Sequence, residues 1–437
     1  MNLVVIICHD LGRHLGCYGT RSVRTPRLDA FAATAARFDR AFCCAPQCSP
    51  SRAAFWTGRY PHANGVIGLT HGEFANDLHP DEKHLAQLLG DAGYDTLLFG
   101  EQHAARSASR LGFGGLHVQK HAMSGGPDAG TCANVSKAFA EFIAQRTSPK
   151  PFFAQVSFFE PHFPFQRADI PIGDPATVDV PAHLPDVRSL REWMALYEAS
   201  IANMDRASGV VLDALHQAGR DGDTLVVFVT DHGMQVPRAK TTLYDPGIEI
   251  TLLMRLPGMG AGRACPALVS NVDALPTLLE LLGQPVPANV QGVSFASVLR
   301  GEAARARDML FAEKTYHGTY DPMRCVRTDR WKFIVNFEMG NWTQMPSSPN
   351  EMRMYADVTE ALLPRLGRLT HHAFELYDLQ SDPYEYANLA RDPAHRATRE
   401  QLARTLLEWM RGTGDPLLDG PVAQGIYHER LAQLKAH

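Results

Sequence analysis

Residues 48–52 read Cys-Ser-Pro-Ser-Arg, and the segment continues Ala-Ala-Phe-Trp-Thr-Gly-Arg to position 59. Ser49 is a good helix N-cap, Pro50 suits the first helical position and Gly58 suits the C-terminal stop. This reading places Cys48 just before a helix N-terminus, where backbone N–H groups and the helix dipole favour an anion. Arg52 follows one turn into the helix, close enough to turn its guanidinium toward a ligand near Cys48. A nucleophile, an anion-binding turn and a fixed cation thus fall within one short segment, a setting that also lowers a thiol's pKa.

The other chemistry-bearing residues stand where apolar runs stop. Residues 3–8 run into His9 and Asp10, and residues 95–99 into Gly100, Glu101 and His103. Residues 152–159 run into Glu160, Pro161 and His162, and residues 225–230 into Asp231 and His232. A fifth run, 250–255, ends at Pro257 and Gly258 without such groups. Helical patterns at 27–37, 84–92, 190–218 and 273–282 alternate with these runs. Alternation of this kind predicts an α/β fold, a large mostly parallel sheet sandwiched by helices. Ligands then bind beyond the carboxyl ends of the strands, where the acids and histidines collect.

After residue 305 the texture changes. Short strand-like runs at 325–327, 332–337 and 375–379 and a terminal helix at 397–411 predict a smaller α+β subdomain carrying a short antiparallel sheet. The expected division is 1–305 and 306–437.

The chain has 437 residues, 42 Lys and Arg against 47 Asp and Glu, and a net charge of −5. No basic excess supports a general nucleic-acid binder. No apolar run approaches the ~20 residues that span a bilayer, so no membrane partner is expected. The first strand-like run begins at residue 3 with no basic or hydrophobic leader before it, so the expected location is cytoplasmic. The eight cysteines form no paired framework, in keeping with reduced thiols.

The Cys-x-Pro-x-Arg segment followed by Thr57-Gly58-Arg59-Tyr60-Pro61-His62 resembles the sulfatase family of the alkaline phosphatase superfamily. The likeness runs nearly the whole length: residues 2–12, Thr25-Pro26-Arg27-Leu28-Asp29, Thr230-Asp231-His232-Gly233, residues 272–277, residues 376–383 and Asn388-Leu389 all fit in order. Residues 240–247 and 322–324 resemble the sulfamidase-like branch of that family.

The resemblance implies oxidation of Cys48 to formylglycine by a formylglycine-generating enzyme. The hydrated aldehyde would attack sulfur, form a covalent sulfo-enzyme intermediate and expel sulfate as the aldehyde returns. A divalent metal would be held by His9, Asp10, Asp231 and His232. Relatives usually carry an acid at the position of His9. Calcium is the family's usual ion, whereas imidazole ligands pull toward Mn²⁺, Zn²⁺ or Fe²⁺. His103 matches the histidine that contacts the diol, His162 the one facing the leaving group, and Lys240 the cation on a sulfate oxygen. Glu101 departs from the family, which generally has lysine there. It would take up a proton, bind a substrate amine, pair with Lys240 or point to solvent. His71, His317 and Arg324 are expected in loops near the pocket mouth.

The reading is a hydrolase of a sulfate ester or sulfamate, on a small sulfated molecule such as a sugar or aryl sulfate; a homo-oligomer is compatible with it. Two alternatives stay open. One is a phosphonate monoester or phosphodiester hydrolase with the same apparatus, which Glu101 and His9 favour. The other is a non-catalytic anion-binding relative in which Cys48 stays a thiol.

Overall fold

The computed structural model describes residues 1–71, 74–121, 128–338, 340 and 348–435. Its strands, in chain order, are β1 Asn2–Cys8, β2 Ala36–Phe42, β3 Asp95–Gly100, β4 Gly115–His117, β5 Phe152–Ser157, β6 Thr224–Thr230, β7 Leu252–Arg255, β8 Arg263–Ser270, β9 Met309–His317, β10 Thr319–Thr328, β11 Trp331–Asn336 and β12 Phe374–Asp378. Eight form one sheet in the order β4-β3-β5-β1-β6-β7-β2-β8, and four form a second in the order β12-β11-β10-β9. The first is mostly parallel with helices against it; the second is antiparallel throughout.

The centre of the large sheet follows from composition. β1, β5 and β6 are buried at every position, which demands apolar side chains on both faces and a helix layer over each. β1 pairs with β5 on one side and β6 on the other, both parallel. Their carboxyl ends therefore finish side by side, which brings residues distant in sequence together at one edge. β7 alone runs against its neighbours β6 and β2. Its carboxyl end lies at the opposite edge of the sheet, which is why the 250–255 run ends in turn residues rather than in acids or histidines.

The predicted helix at 27–37 is too long. The helix is Pro26–Ala32, and Ala36–Phe42 is strand β2. Buried Phe38, Ala41 and Phe42 share that strand with half-buried Arg37, Asp39 and Arg40. Of the C-terminal strands, β10 is longer than expected at Thr319–Thr328 and β9 is not among those expected. The helix expected to be terminal spans Arg396–Thr413 and is followed by a further helix, Gly425–Lys435. β9 of the second sheet is tied through the backbone to loops that flank the helix Cys48–Thr57 and the turn after it. Glu313 N donates to Cys44 O at 2.8 Å, and Tyr316 N to Ile67 O at 3.1 Å. No described helix is long and apolar enough to cross a membrane. All eight cysteines are free thiols.

Candidate active site

Cys48 is the first residue of a helix, Cys48–Thr57, whose every side chain is buried. Gln47, not Ser49, occupies the N-cap, and it makes no side-chain cap hydrogen bond. The amides of the first turn are therefore uncapped beside Cys48. Cys48 Sγ lies 3.2 Å from His232 Nε2 and 3.8 Å from Asp10 Oδ1. The expectation of a lowered thiol pKa is overturned. Burial pushes the thiol up, and the lowering by Lys240 and Arg52, opposed by the carboxylates of Asp10 and Asp231, does not offset it. As a thiol, Cys48 is a poor nucleophile.

The tips of β1 and β6 supply the groups around it. Asp231 Oδ1 accepts the backbone N–H of Asp10 and of His232, both at 2.9 Å. Asp231 Oδ2 accepts from Arg52 Nε at 3.1 Å and lies 3.0 Å from His9 Nδ1. Arg52 is not aimed at a ligand near Cys48. It also donates to Ser157 Oγ at 3.0 Å and to the Cys8 carbonyl at 3.1 Å, binding the ends of three strands together. Asp10 has a positive φ of 50°, and the Tyr197 hydroxyl donates to its carbonyl at 2.7 Å. Lys240 Nζ donates to Asp10 Oδ2 at 2.7 Å. Burial alone would raise the carboxyl pKa of Asp10, but Lys240 and the neighbouring histidines hold it well below the usual range.

His232 Nδ1 faces the Gly233 carbonyl at 2.9 Å. A carbonyl only accepts, so Nδ1 carries a proton, and Nε2 lies 3.2 Å from Asp10 Oδ1, where it would offer a lone pair to a cation held between them. The turn here tolerates only glycine, because a Cβ on Gly233 would meet the Pro246 carbonyl oxygen at 1.9 Å. Two buried carboxylates and an imidazole lone pair fit a divalent cation. One donor each from His9, Asp10, Cys48 and Asp231 lies within 4.8 Å of the others.

The tips of β3 and β5 add a second group. His9 lies between the rings of His103 and His162, at centroid distances of 5.0 and 5.6 Å. His162 Nδ1 donates to the Phe163 carbonyl, and its Nε2 lies 3.7 Å from Asp10 Oδ2. Burial lowers the His162 pKa to about 4. Glu101 neither points to solvent nor pairs with Lys240. It is 7% exposed, with His103 Nε2 at 3.5 Å and His121 Nε2 at 3.3 Å. Burial raises its pKa, but the histidines prevail and bring it down to about 2.

Of the three residues expected at the mouth, two are near. His71 is exposed, with its ring 5.8 Å from that of His103. His317 ends β9, and its imidazole pKa is lowered by burial first and then by Lys240, Lys314 and His232. Arg324 is not at the mouth. It lies within β10, is 0% exposed, and donates to Asp415 Oδ2 and, at 3.0 Å, to Asp415 Oδ1. Further bonds to the Lys314 and Met323 carbonyls leave it a buried structural cation. Sequence reasoning missed Ser157, Tyr197 and His121. His121 follows the three-residue strand β4, too short to register as an apolar run.

Comparison with known proteins gives a consistent result. The family model described as sulfatase matches residues 1–284, and one described as N-sulphoglucosamine sulphohydrolase, C-terminal, matches residues 232–364. Human N-sulphoglucosamine sulphohydrolase is 28% identical over 484 aligned positions, covering 99% of this chain and 93% of that protein. A structure solved in work on glycosaminoglycan metabolism by Bacteroides thetaiotaomicron superposes with a TM-score of 0.75 at 22% identity, covering 95% of this chain and 97% of the other. The phosphonate monoester hydrolase of Agrobacterium radiobacter superposes with a TM-score of 0.72 at 22% identity, covering 94% and 96%.

Proposed function

Because the chain belongs to the sulfatase family, and so is a sulfate-ester or sulfamate hydrolase, we propose that it acts on a sulfated sugar with a formylglycine made from Cys48. One observation carries this reading. The residue at the uncapped helix start is packed against Asp10 and His232, and Lys240 holds Asp10 at 2.7 Å. A thiol is suppressed there by burial beside two carboxylates, so the position calls for a different nucleophile.

A hydrated aldehyde at position 48 would supply a hydroxyl nucleophile, and Asp10, Asp231 and His232 would hold a divalent ion whose chemistry is polarisation of a sulfate oxygen. The chain's own residues do the rest. Arg52 holds Asp231 in place, Lys240 brings a buried positive charge to the anion, and the helix amides add their dipole. His162 Nε2 faces the site and delivers the proton to the departing sugar oxygen or nitrogen; an anionic substrate beside it favours the imidazolium. His71 and His317 line the approach. The sugar reading draws on the 28% identical human relative, whose name specifies N-sulphoglucosamine.

The mass of the tryptic peptide 41–52 tests the nucleophile, in protein made in its own host or beside a formylglycine-generating enzyme. An aldehyde at position 48 is expected; an unmodified thiol overturns the proposal in favour of an anion-binding protein. A substrate panel tests the reaction. The buried carboxylate of Glu101 favours a second reading, a phosphonate monoester or phosphodiester hydrolase. Turnover of an aryl phosphonate ester far faster than aryl sulfate and sulfamate would establish it.

A further inference from the structure

His9 stands between two groups of donors. Its Nδ1 lies 3.0 Å from Asp231 Oδ2, the side chain is fully buried, and neither ring nitrogen makes a hydrogen bond among the described residues. Glu101 and His103 each place one donor atom within 4.8 Å of one of His9's and of each other's. His103 Nε2 is 3.5 Å from Glu101 Oε2, while His103 Nδ1 is buried with no hydrogen-bond partner. We propose that His9, Glu101 and His103 form a second metal site, which takes a divalent transition-metal ion and is distinct from the site on Asp10, Asp231 and His232.

The tautomer of His9 is the first argument. The charge of Asp231, 3.0 Å from Nδ1, favours the proton on that nitrogen and leaves Nε2 a lone pair. A ligating histidine is generally oriented in this way, its second nitrogen donated to a carboxylate. A bound ion would also give a partner to a buried ring nitrogen that has none in the protein, an arrangement that is otherwise unfavourable.

The surroundings of Glu101 are the second. His121 Nε2 lies 3.3 Å from Glu101 Oε1 on the side away from His103, so the carboxylate is oriented from outside while its other oxygen faces the two imidazoles. Phe159 packs its ring 6.1 Å from His9 and 5.2 Å from His121, walling the group on one side. Two imidazoles and one carboxylate suit Zn²⁺, Mn²⁺, Fe²⁺ or Co²⁺ better than Ca²⁺, which takes six to eight oxygens.

Charge is the third. A bare carboxylate at Glu101 would repel an anionic substrate, whereas a dication on one carboxylate and two neutral imidazoles leaves the group net positive. With the ion bound, His103 gives its nitrogen to the metal rather than to a proton. The inference depends neither on conversion of Cys48 nor on the substrate class.

The test counts metal on the full chain. Protein stripped by a chelator is reloaded with Zn²⁺ or Co²⁺, dialysed, and analysed for metal per chain, with the visible Co²⁺ absorption recorded during titration. Wild type should retain two equivalents, Glu101→Gln and His103→Ala one each, with loss of the absorption that belongs to the second equivalent. Asp10→Asn should lose the other equivalent and keep this absorption. The wild-type count needs no variant and so stands even if a variant fails to fold. Retention of one equivalent or none by wild type, or of two by both Glu101→Gln and His103→Ala, overturns the second site. Neither result alters the peptide mass at Cys48, which reports separately on the proposed nucleophile.

Discussion

Arg52 and Asp231 form a buried ion pair, Nε to Oδ2 at 3.1 Å, at the point where the helix that begins at Cys48 meets the tip of β6. The guanidinium also reaches Ser157 on β5 and the carbonyl of Cys8 on β1, so one side chain sets the spacing of three strand ends. Removing one partner of a buried pair costs about 3–5 kcal/mol, because the other charge is left uncompensated. Arg52→Ala should lower stability by about that amount in urea unfolding. Arg52→Lys keeps the charge but not the fork, and should recover only part of it. A midpoint for Arg52→Ala within about 0.5 kcal/mol of wild type would show that Arg52 acts on the ligand instead.

His162 is the group whose role depends most on the substrate. If Nε2 protonates the leaving group, His162→Ala should cost about 10²–10⁴-fold in kcat with poor leaving groups and much less with good ones. The comparison is a series of aryl sulfates of graded phenol acidity. An equal loss across the series would mean that His162 only shapes the pocket or positions Asp10, 3.7 Å away.

The legible parts of this molecule are those in which one physical rule acts alone. β1 and β6 show themselves because strands buried on both faces must be apolar throughout, and a polar residue after such a run marks a carboxyl end. That rule finds His9, Asp10, Glu101, His103, His162, Asp231 and His232 from sequence, and the parallel register of β1 with β5 and β6 places their tips together. It fails for β2, whose three charged residues interrupt the pattern directly after a helix, and for β4, which has only three residues. It also cannot tell a cation facing a pocket from one neutralised at a distance. Arg324 looked available because Asp415, which satisfies it, lies 91 residues away.

Arg324 therefore yields a prediction opposite to its expected role. Asp415 meets it with both oxygens in a fully buried setting, so Arg324→Ala should destabilise the fold by about 3–5 kcal/mol. Measured at a temperature where the variant remains folded, its KM should match wild type. A raised KM with an unchanged melting temperature would restore the substrate-binding role.

His84 makes stability depend on pH well away from the active site. It caps the helix Leu85–Asp91, its Nδ1 accepting the Ala86 N–H at 3.0 Å, and its ring packs 5.3 Å from Trp56 and from Phe113. Burial lowers its pKa from 6.5 to about 3. Protonation would also turn the accepting nitrogen into a second donor facing the Ala86 amide. Between pH 6.5 and about 3 the unfolded chain binds a proton at this residue and the folded chain does not. Stability from this group is thus complete above pH 6.5 and falls as the pH drops, by up to ~1.4 kcal/mol per pH unit. His84→Asn keeps a good cap acceptor and removes the titration. The variant should melt lower at pH 8, because it loses ring packing, yet lose stability less steeply between pH 6.5 and 4. Urea unfolding at half-unit intervals gives both slopes. Parallel lines over that range would mean that His84 already carries its proton in the folded protein.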